Sequence, residues 1–384
     1  MKICIVTPTL FPEPGGPSIF VDNFVKSLRK DGHQVTVVAI SHGRGSKNYE
    51  EGCSIIRIGR KGSRIFRVLK TIITIIKYGK RNDVLYSCGL FLESAISKWM
   101  IRKPLIIRAG GDPVWERWIN QQGFKSDLTE FQRKKYSLRI EFKKFLQRLS
   151  YRAADRVITN SYFFGSIVRG WGIPEAKITV VYSGVDLENI KFPEREEIKN
   201  RLSLQGKKVI LTVGRLIGLK RIDEIIRAFS ELKNDDCHLW IIGEGPQKES
   251  LIGLSQRLHL SEKIKFLGIK GHEEVMQYLR AADLFVLNSA SEVMPNVVLE
   301  SLAVGTPVIA PNVGGIPEII QNEVDGLLYP LKKENVLELR EAVERLLRDD
   351  DLKRQIIQNG FLKADQFRWE KAHETNLRVM NSIR

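Results

Sequence analysis

One pattern constrains this chain more than any other. Short runs of Val, Ile and Leu alternate with longer amphipathic stretches, and the alternation occurs twice. The first set of runs is Ile3–Thr7, Gln34–Ile40, Ser54–Ile58, Val84–Ser87, Leu105–Arg108, Arg156–Thr159 and Ile178–Val181. Helix-like segments such as Ser18–Lys30, Leu90–Ile101 and Tyr162–Arg169 lie between them. A strand that is apolar at successive positions, rather than alternate ones, has both faces covered, which is the situation of a parallel sheet wrapped by helices. The pattern breaks at Tyr182–Glu197 (YSGVDLENIKFPEREE), a stretch of turn residues, a proline and charge that reads as a linker. It restarts with Val209–Val213, His238–Ile242, Ile264–Leu267, Leu284–Leu287, Pro307–Ala310 and Leu327–Tyr329, separated by helix-like Asp223–Leu232, Glu274–Arg280 and Glu334–Leu347. At 384 residues the chain is too long for one typical core. The expectation is an α/β protein of two Rossmann-like doubly wound domains, residues 1–186 and 187–365, facing each other across a cleft, with a helix-like tail 366–384 crossing back to brace the first.

Ligands of open α/β sheets bind outside the carboxyl ends of the strands, so the strand-to-helix segments carry the functional reading. The richest is Leu287–Ala310 (LNSASEVMPNVVLESLAVGTPVIA). It places Glu292 in a loop at the mouth of a site and Glu300 about two turns into the helix that the loop feeds. Glu300 lies on an apolar stretch, where an unpaired charge is costly and a diol is a suitable partner. The amides of Asn296 and Val297 open that helix and can meet phosphate. The bland reading of the two glutamates is a surface residue and a helix-start residue favoured by the dipole. Upstream, Val213–Arg221 (VGRLIGLKR) follows a strand and offers Arg215, a planar fork for phosphate oxygens, and Lys220, a compact charge. Two cations for a diphosphate and two carboxylates for sugar hydroxyls suggest a nucleotide-sugar site.

Four other turns follow strand-like runs. In FPEPGGPS, Gly15 and Gly16 let the backbone approach a ligand at a helix start, although the segment is not a GxGxxG fingerprint. Gly314–Gly315 with Glu318, and Gly243 and Gly245 around Glu244, read as tight turns, the latter as ordinary ones. RAGGDPVWERW carries Asp112, which either orients an acceptor hydroxyl or caps the helix that follows. Trp115 and Trp118 beside it read as core more readily than as a stacking platform.

Composition narrows the classes. Residues 1–190 hold 32 Lys+Arg against 16 Asp+Glu, and residues 191–384 hold 29 of each, so the net charge of +16 belongs to the first half. Two segments concentrate it, Arg60–Arg81 with no acidic residue and Phe131–Arg152 with Glu141 alone. Both interleave basic and large apolar residues at helical intervals, the pattern of a helix resting on an anionic membrane. The alternative is a pair of helices whose apolar faces pack on their own domain. Nucleic-acid binding is disfavoured, since no finger spacing, RNP-like aromatics or clear helix-turn-helix is present. Cys4, Cys53, Cys88 and Cys237 form no CxxC pair and read as small buried hydrophobes of a reducing compartment. The six histidines show no metal-ligand spacing, and Asp349–Asp351 reads as a solvated turn rather than a metal motif, so no metal is expected. The apolar start of the chain reads as a first strand rather than a signal peptide, and no stretch is apolar enough to span a bilayer.

Four ordered motifs resemble the family 4 glycosyltransferases, a retaining group with the GT-B fold. They are FPEPGGPSIFVDNFVKSLRKDGHQVTVV, VITNSYFFGSIVRGWGIPEAKITVVYSGVD, VGRLIGLKRIDEIIRAF and the Glu292–Glu300 segment. The resemblance covers nearly the whole chain. It implies a nucleotide sugar held mainly by the second domain, with Arg215 and Lys220 on the diphosphate, Glu300 on the ribose, Glu292 on the transferred sugar and Gly16 approaching from the first domain. It also implies metal-independent, retaining transfer to an acceptor hydroxyl. The expected acceptor is a glycan or, where the basic segments rest on a membrane, a lipid-linked sugar, and the expected place is the cytoplasm or the cytoplasmic membrane face. One departure is that many members carry a histidine where this chain reads RAGGD; Asp112 is the candidate replacement. The competing functions are a nucleotide-sugar epimerase of the same fold and a non-catalytic binder of acidic polymers.

Overall fold

The computed structural model describes residues 1–10, 13, 16–41, 53–186, 193–202, 206–232 and 236–383. By its contacts the chain divides into two compact units. The first comprises Met1–Glu116, Thr129–Ser183 and Ala372–Arg384, and the second Arg117–Leu128 and Gly184–Lys371.

The first unit is built on seven strands: β1 (Lys2–Thr7), β2 (Gln34–Ser41), β3 (Cys53–Gly59), β4 (Val84–Ser87), β5 (Leu105–Ala109), β6 (Arg156–Thr159) and β7 (Ile178–Val180). Their order is β3-β2-β1-β4-β5-β6-β7, and every pair is parallel. Ile3 of β1 faces Val35 on one side and Val84 on the other. Central strands β4 and β5 are buried at every position, whereas edge strand β3 is mostly half-buried. This gradient explains why the central runs read as unbroken apolar stretches. Most of the helix Trp369–Asn381, from Ala372 on, belongs to this unit. There Asn376 accepts a hydrogen bond from the buried Tyr86 hydroxyl, and His373 Nε2 lies 2.6 Å from Asp31 Oδ2.

The second unit has six parallel strands: β8 (Lys208–Val213), β9 (Cys237–Ile242), β10 (Ile264–Gly268), β11 (Leu284–Val286), β12 (Val308–Asn312) and β13 (Leu327–Pro330). Their order is β10-β9-β8-β11-β12-β13. Ile210, Leu239, Val286 and Ile309 from four neighbouring strands meet Ile225, Leu339 and Val343 from the covering helices in one core. A buried charge anchors the amino ends of this sheet: Asp283 Oδ2 accepts from Val209 N–H at 2.9 Å, and its Oδ1 lies 2.9 Å from Arg195 and 3.4 Å from Lys199. The α/β class and the doubly wound character of both sheets follow the sequence reading. The four cysteines are free, and burial pushes the thiols of Cys4 and Cys88 up to about 12, which leaves them unreactive. No helix among the described residues is long and apolar enough to cross a membrane.

Candidate functional site

In each sheet the strand order reverses once, and ligands of open α/β sheets settle where it does. In the second unit the reversal falls between β8 and β11, with β9 and β10 on one side and β12 and β13 on the other. The segments leaving β9, β8, β11 and β12 are stitched together there by hydrogen bonds to backbone carbonyls. Gly214 N–H donates to Ile242 C=O (2.9 Å), Leu216 N–H to Glu244 C=O (3.0 Å), and Ala290 N–H to Leu219 C=O (2.8 Å). Gly315 N–H donates to Glu292 C=O (3.1 Å), and Asn288 Nδ2 to Arg221 C=O (3.1 Å).

Glycine makes this possible at two places. Gly243 sits at φ +139 with a Cβ position that would overlap the carbonyl of Gly214, and Gly314 at φ +60 with one that would overlap the carbonyl of Glu292. No other residue type allows such approach at such torsions. The ordinary-turn reading of Gly243 and Gly245 is therefore incomplete. They let the β9 segment close against the Arg215 loop.

This platform carries most of the residues singled out in the sequence. Lys220 Nζ forms an ion pair with Glu292 Oε1, both side chains being less than one-fifth exposed. Arg215 stands on the same loop, exposed, and makes no ion pair among the described residues. The helix Asn296–Ala303 starts directly after Pro295, so Glu300 lies just over one turn inside it rather than two. Among the described residues no side chain caps this helix, so the amides of Asn296 and Val297 stand at an uncapped start. Beneath the platform, Asn288 Nδ2 donates to Glu224 Oε2 (3.0 Å) and Tyr329 OH to Asn288 Oδ1 (2.7 Å). Burial pushes the Glu224 carboxyl up, against the hydrogen bond from Asn288 and the charge of Arg221. The network ties the β11 segment to the helix after β8.

One residue at this site escaped the sequence reading. His272 opens the helix after β10, and its Nε2 lies 3.0 Å from Glu300 Oε1. The hydrogen bond to Glu300 raises His272 above the usual imidazole range, against partial burial and with help from the charges of Glu300 and Asp186. A histidine just past a strand's carboxyl end was the available signal. Metal-ligand spacing, the criterion applied to the histidines, does not detect a lone imidazole paired with a distant carboxylate.

The first unit holds the remaining residues. Gly16 opens the helix Gly16–Lys30 and is exposed, and Gly15 lies outside the described residues. Asp112 requires a correction. It is 1% exposed, its Oδ1 accepts from Val114 N–H (2.8 Å) and Trp115 N–H (3.0 Å), and its Oδ2 accepts from Gln132 Nε2 (2.7 Å). Burial pushes its carboxyl up despite these bonds. Both oxygens are engaged inside the fold, so Asp112 is a helix cap and not a group that reaches an acceptor. Trp115 is buried beside it.

Comparison with known proteins places this geometry in context. Residues 194–363 match the model of glycosyl transferases group 1, and residues 14–189 that of glycosyltransferase family 4. An uncharacterized glycosyltransferase of Methanocaldococcus jannaschii is 31% identical over 215 residues, 54% of each chain. The alpha-monoglucosyldiacylglycerol synthase of Streptococcus pneumoniae is 27% identical over 344 residues, 86% of this chain and 75% of that one. The chain thus spans about half to three-quarters of the length of these two relatives. Anabaena HepE, solved with UDP and glucose, matches over the whole of both chains with a TM-score of 0.82 at 20% identity, a likeness of fold.

Proposed function

The chain belongs to the group 1 and family 4 glycosyltransferases, with their GT-B fold, and from that premise we propose that it moves a sugar from a nucleotide-diphosphate donor to an acceptor hydroxyl with retention at the anomeric carbon. The observation that carries this reading is the placement of Arg215, Lys220 and Glu292 on the segments that leave β8 and β11, and of Glu300 in the helix that the second segment feeds, on either side of the strand-order reversal. In this reading Arg215, Lys220 and the amides of Asn296 and Val297 take the diphosphate. Glu300 takes the ribose diol, with His272 holding its carboxylate. Glu292, already seated by Lys220, orients the transferred sugar and eases positive charge developing at its anomeric carbon.

The chemistry is positioning and electrostatics. Fixed cations neutralise the departing diphosphate, so transfer proceeds without a resident metal and survives chelation. The acceptor is a glycan or lipid-linked hydroxyl of cell-surface biosynthesis, reached at the cytoplasmic face of an anionic membrane. Support for the lipid side is the basic first half of the chain and the lipid named for the Streptococcus relative.

The test is a melting-temperature screen across nucleotide sugars, followed by transfer assays on the donor that shifts the melt. Lys220→Ala and Arg215→Ala are each expected to slow transfer about 10²-fold or more, the usual cost of losing one charge-stabilising group. Near-native transfer in both variants, or conversion of the donor to its epimer with no acceptor present, rejects the reading.

A further inference from the structure

Three helices of the first unit turn large apolar side chains toward solvent. They are Arg64–Gly79, Phe91–Ile101 and Leu138–Ala153, which lie in the β3-to-β4, β4-to-β5 and β5-to-β6 connections. These connections all run the same way across the sheet, so crossovers of one hand put the three helices on one face. The middle helix packs against both others: Ser97 Oγ meets Ile72 C=O at 3.5 Å, Lys98 Nζ donates to Ala153 C=O at 2.7 Å, and the rings of Phe91 and Tyr151 lie 5.2 Å apart.

Each helix has a buried stripe and an exposed one. In Arg64–Gly79 the buried positions are Thr71, Ile75 and Gly79, and the exposed apolar ones are Ile65, Phe66, Leu69 and Ile73. In Leu138–Ala153 the exposed row is Leu138, Phe142, Phe145 and Leu149, spaced as one helical face. Between them, Trp99 is 80% exposed beside Ile96 and Met100. Eleven of the sixteen large apolar side chains exposed among the described residues fall on these three helices, so they form a patch and not a scatter. Packing within the unit accounts for only one stripe of each helix.

We infer that this three-helix face is a docking surface that inserts into the interface of an anionic lipid bilayer. Charge selects the occupant. Exposed Arg64, Lys70 and Lys77 flank the first stripe, Arg139 and Arg152 the third, and Arg102 follows the middle helix. The helix Arg64–Gly79 contains no acidic residue at all, and Leu138–Ala153 contains only Glu141, which is paired with Lys144. Long basic side chains around an apolar strip with Trp and Phe suit a headgroup region, where stems and rings sink and charges stay at phosphate level. A second copy of the chain is a poor partner, because a two-fold interface sets the same basic patch against itself. The inference deepens the lipid-linked acceptor of the proposed function, and binding to vesicles is measured without donor or acceptor.

The experiment is flotation of the full chain with vesicles of phosphatidylcholine alone and of phosphatidylcholine with phosphatidylglycerol. Binding is expected to the anionic vesicles, partly weakened by salt and partly resistant to it. The double variant Leu69→Ser, Phe142→Ser is expected to lose at least tenfold in partitioning while keeping the native melting temperature. Lys70→Gln with Arg139→Gln is expected to abolish the preference for anionic vesicles, and Trp99→Phe to remove a vesicle-induced blue shift of the tryptophan emission. Three results overturn the inference: no binding to anionic vesicles, unchanged binding in the serine variant, or a concentration-dependent dimer that the serine variant dissolves. Each leaves the donor-site reading standing, because melting shifts with nucleotide sugars do not involve this face.

Discussion

Over six strands the two sheets share one order, and they use it differently. At its reversal between β8 and β11 the second unit gathers charge: Lys220 against Glu292, His272 against Glu300, and glycine turns that close four loops into a platform. At its own reversal between β1 and β4 the first unit gathers small neutral groups and a single described ion pair on the segment leaving β1, Arg60 with Glu13. Ser87 Oγ donates to Gly89 C=O, Ser94 Oγ to Ser87 Oγ at 3.0 Å, and Gly89 sits against the ring of Pro8. Its excess of positive charge is concentrated instead on the helices of one face, beside exposed apolar side chains. Topology therefore fixes where the segments leaving the strands converge, and the side chains on those segments decide the charge gathered there. The net charge of the chain follows the surface of the first unit and says nothing about the site in the second, where Lys220 is paired with Glu292 while Arg215 makes no ion pair among the described residues.

The sharpest way to break this contrast is to disturb the platform without touching a charged group. Gly314→Ala forces a Cβ onto the Glu292 carbonyl at a left-handed φ. Gly32→Ala places one at φ +77 with nothing within 4 Å. The first is expected to cost about 2–4 kcal/mol in denaturant unfolding and the second about 1–2 kcal/mol, the difference being the overlap. Donor-induced melting shifts should disappear in Gly314→Ala and persist in Gly32→Ala. Retention of the shift in both would mean that the Glu292 loop does not depend on the close approach.

A smaller effect separates the lysines of the first unit from one another. Lys144 sits in the same basic helix as Arg139 and Arg152 but is 3% exposed, and its Nζ donates to Phe131 C=O (2.8 Å) and Lys134 C=O (3.0 Å) over the rings of Phe131 and Tyr136. Lys144→Met leaves those carbonyls short of a donor and is expected to lose about 2 kcal/mol of stability. Lys70→Met, at an exposed position, should stay within about 0.5 kcal/mol. Equal losses in urea titrations would remove the distinction between an inward structural lysine and outward surface ones.

The fold was legible because its signals are local. All thirteen apolar runs became strands, from Ile3–Thr7 within Lys2–Thr7 to Leu327–Tyr329 within Leu327–Pro330, with ends displaced by a residue or two. The Tyr182–Glu197 break was only partly a linker, since the helix Arg195–Arg201 begins inside it and residues 187–192 lie outside the described ones. In the site, Lys220 and Glu292 were legible because each follows a strand that the sequence marks clearly. Their direct pairing was not, because nothing local fixes contact across 72 residues. Asp112 went the other way. A residue at a strand's carboxyl end looked available, and burial together with Gln132, twenty positions on, made it a cap. The exposed rows of the basic helices were half legible: their amphipathicity was visible, but which apolar stripe faces the sheet depends on how the helices pack.

The finest test bears on the pair that the sequence did not reveal. His272 and Glu300 belong to the charged reversal of the second unit, and the carboxylate holds the imidazole above its ordinary range. A histidine raised in the folded state contributes stability that is fully present below its unfolded value of about 6.5 and fades as pH rises through the higher folded value. Thermal melts taken upward from pH 6 should therefore show a modest loss from about pH 6.5 onward that is missing in His272→Gln, which keeps a donor for Glu300 but cannot titrate there. The effect is expected to be the smallest of those considered, since the imidazole is one-third exposed and solvent screens the pair. If wild type and His272→Gln trace parallel curves, the His272–Glu300 contact is a neutral hydrogen bond. The charge gathered at the β8/β11 reversal then reduces to Arg215, Lys220 and the two glutamates.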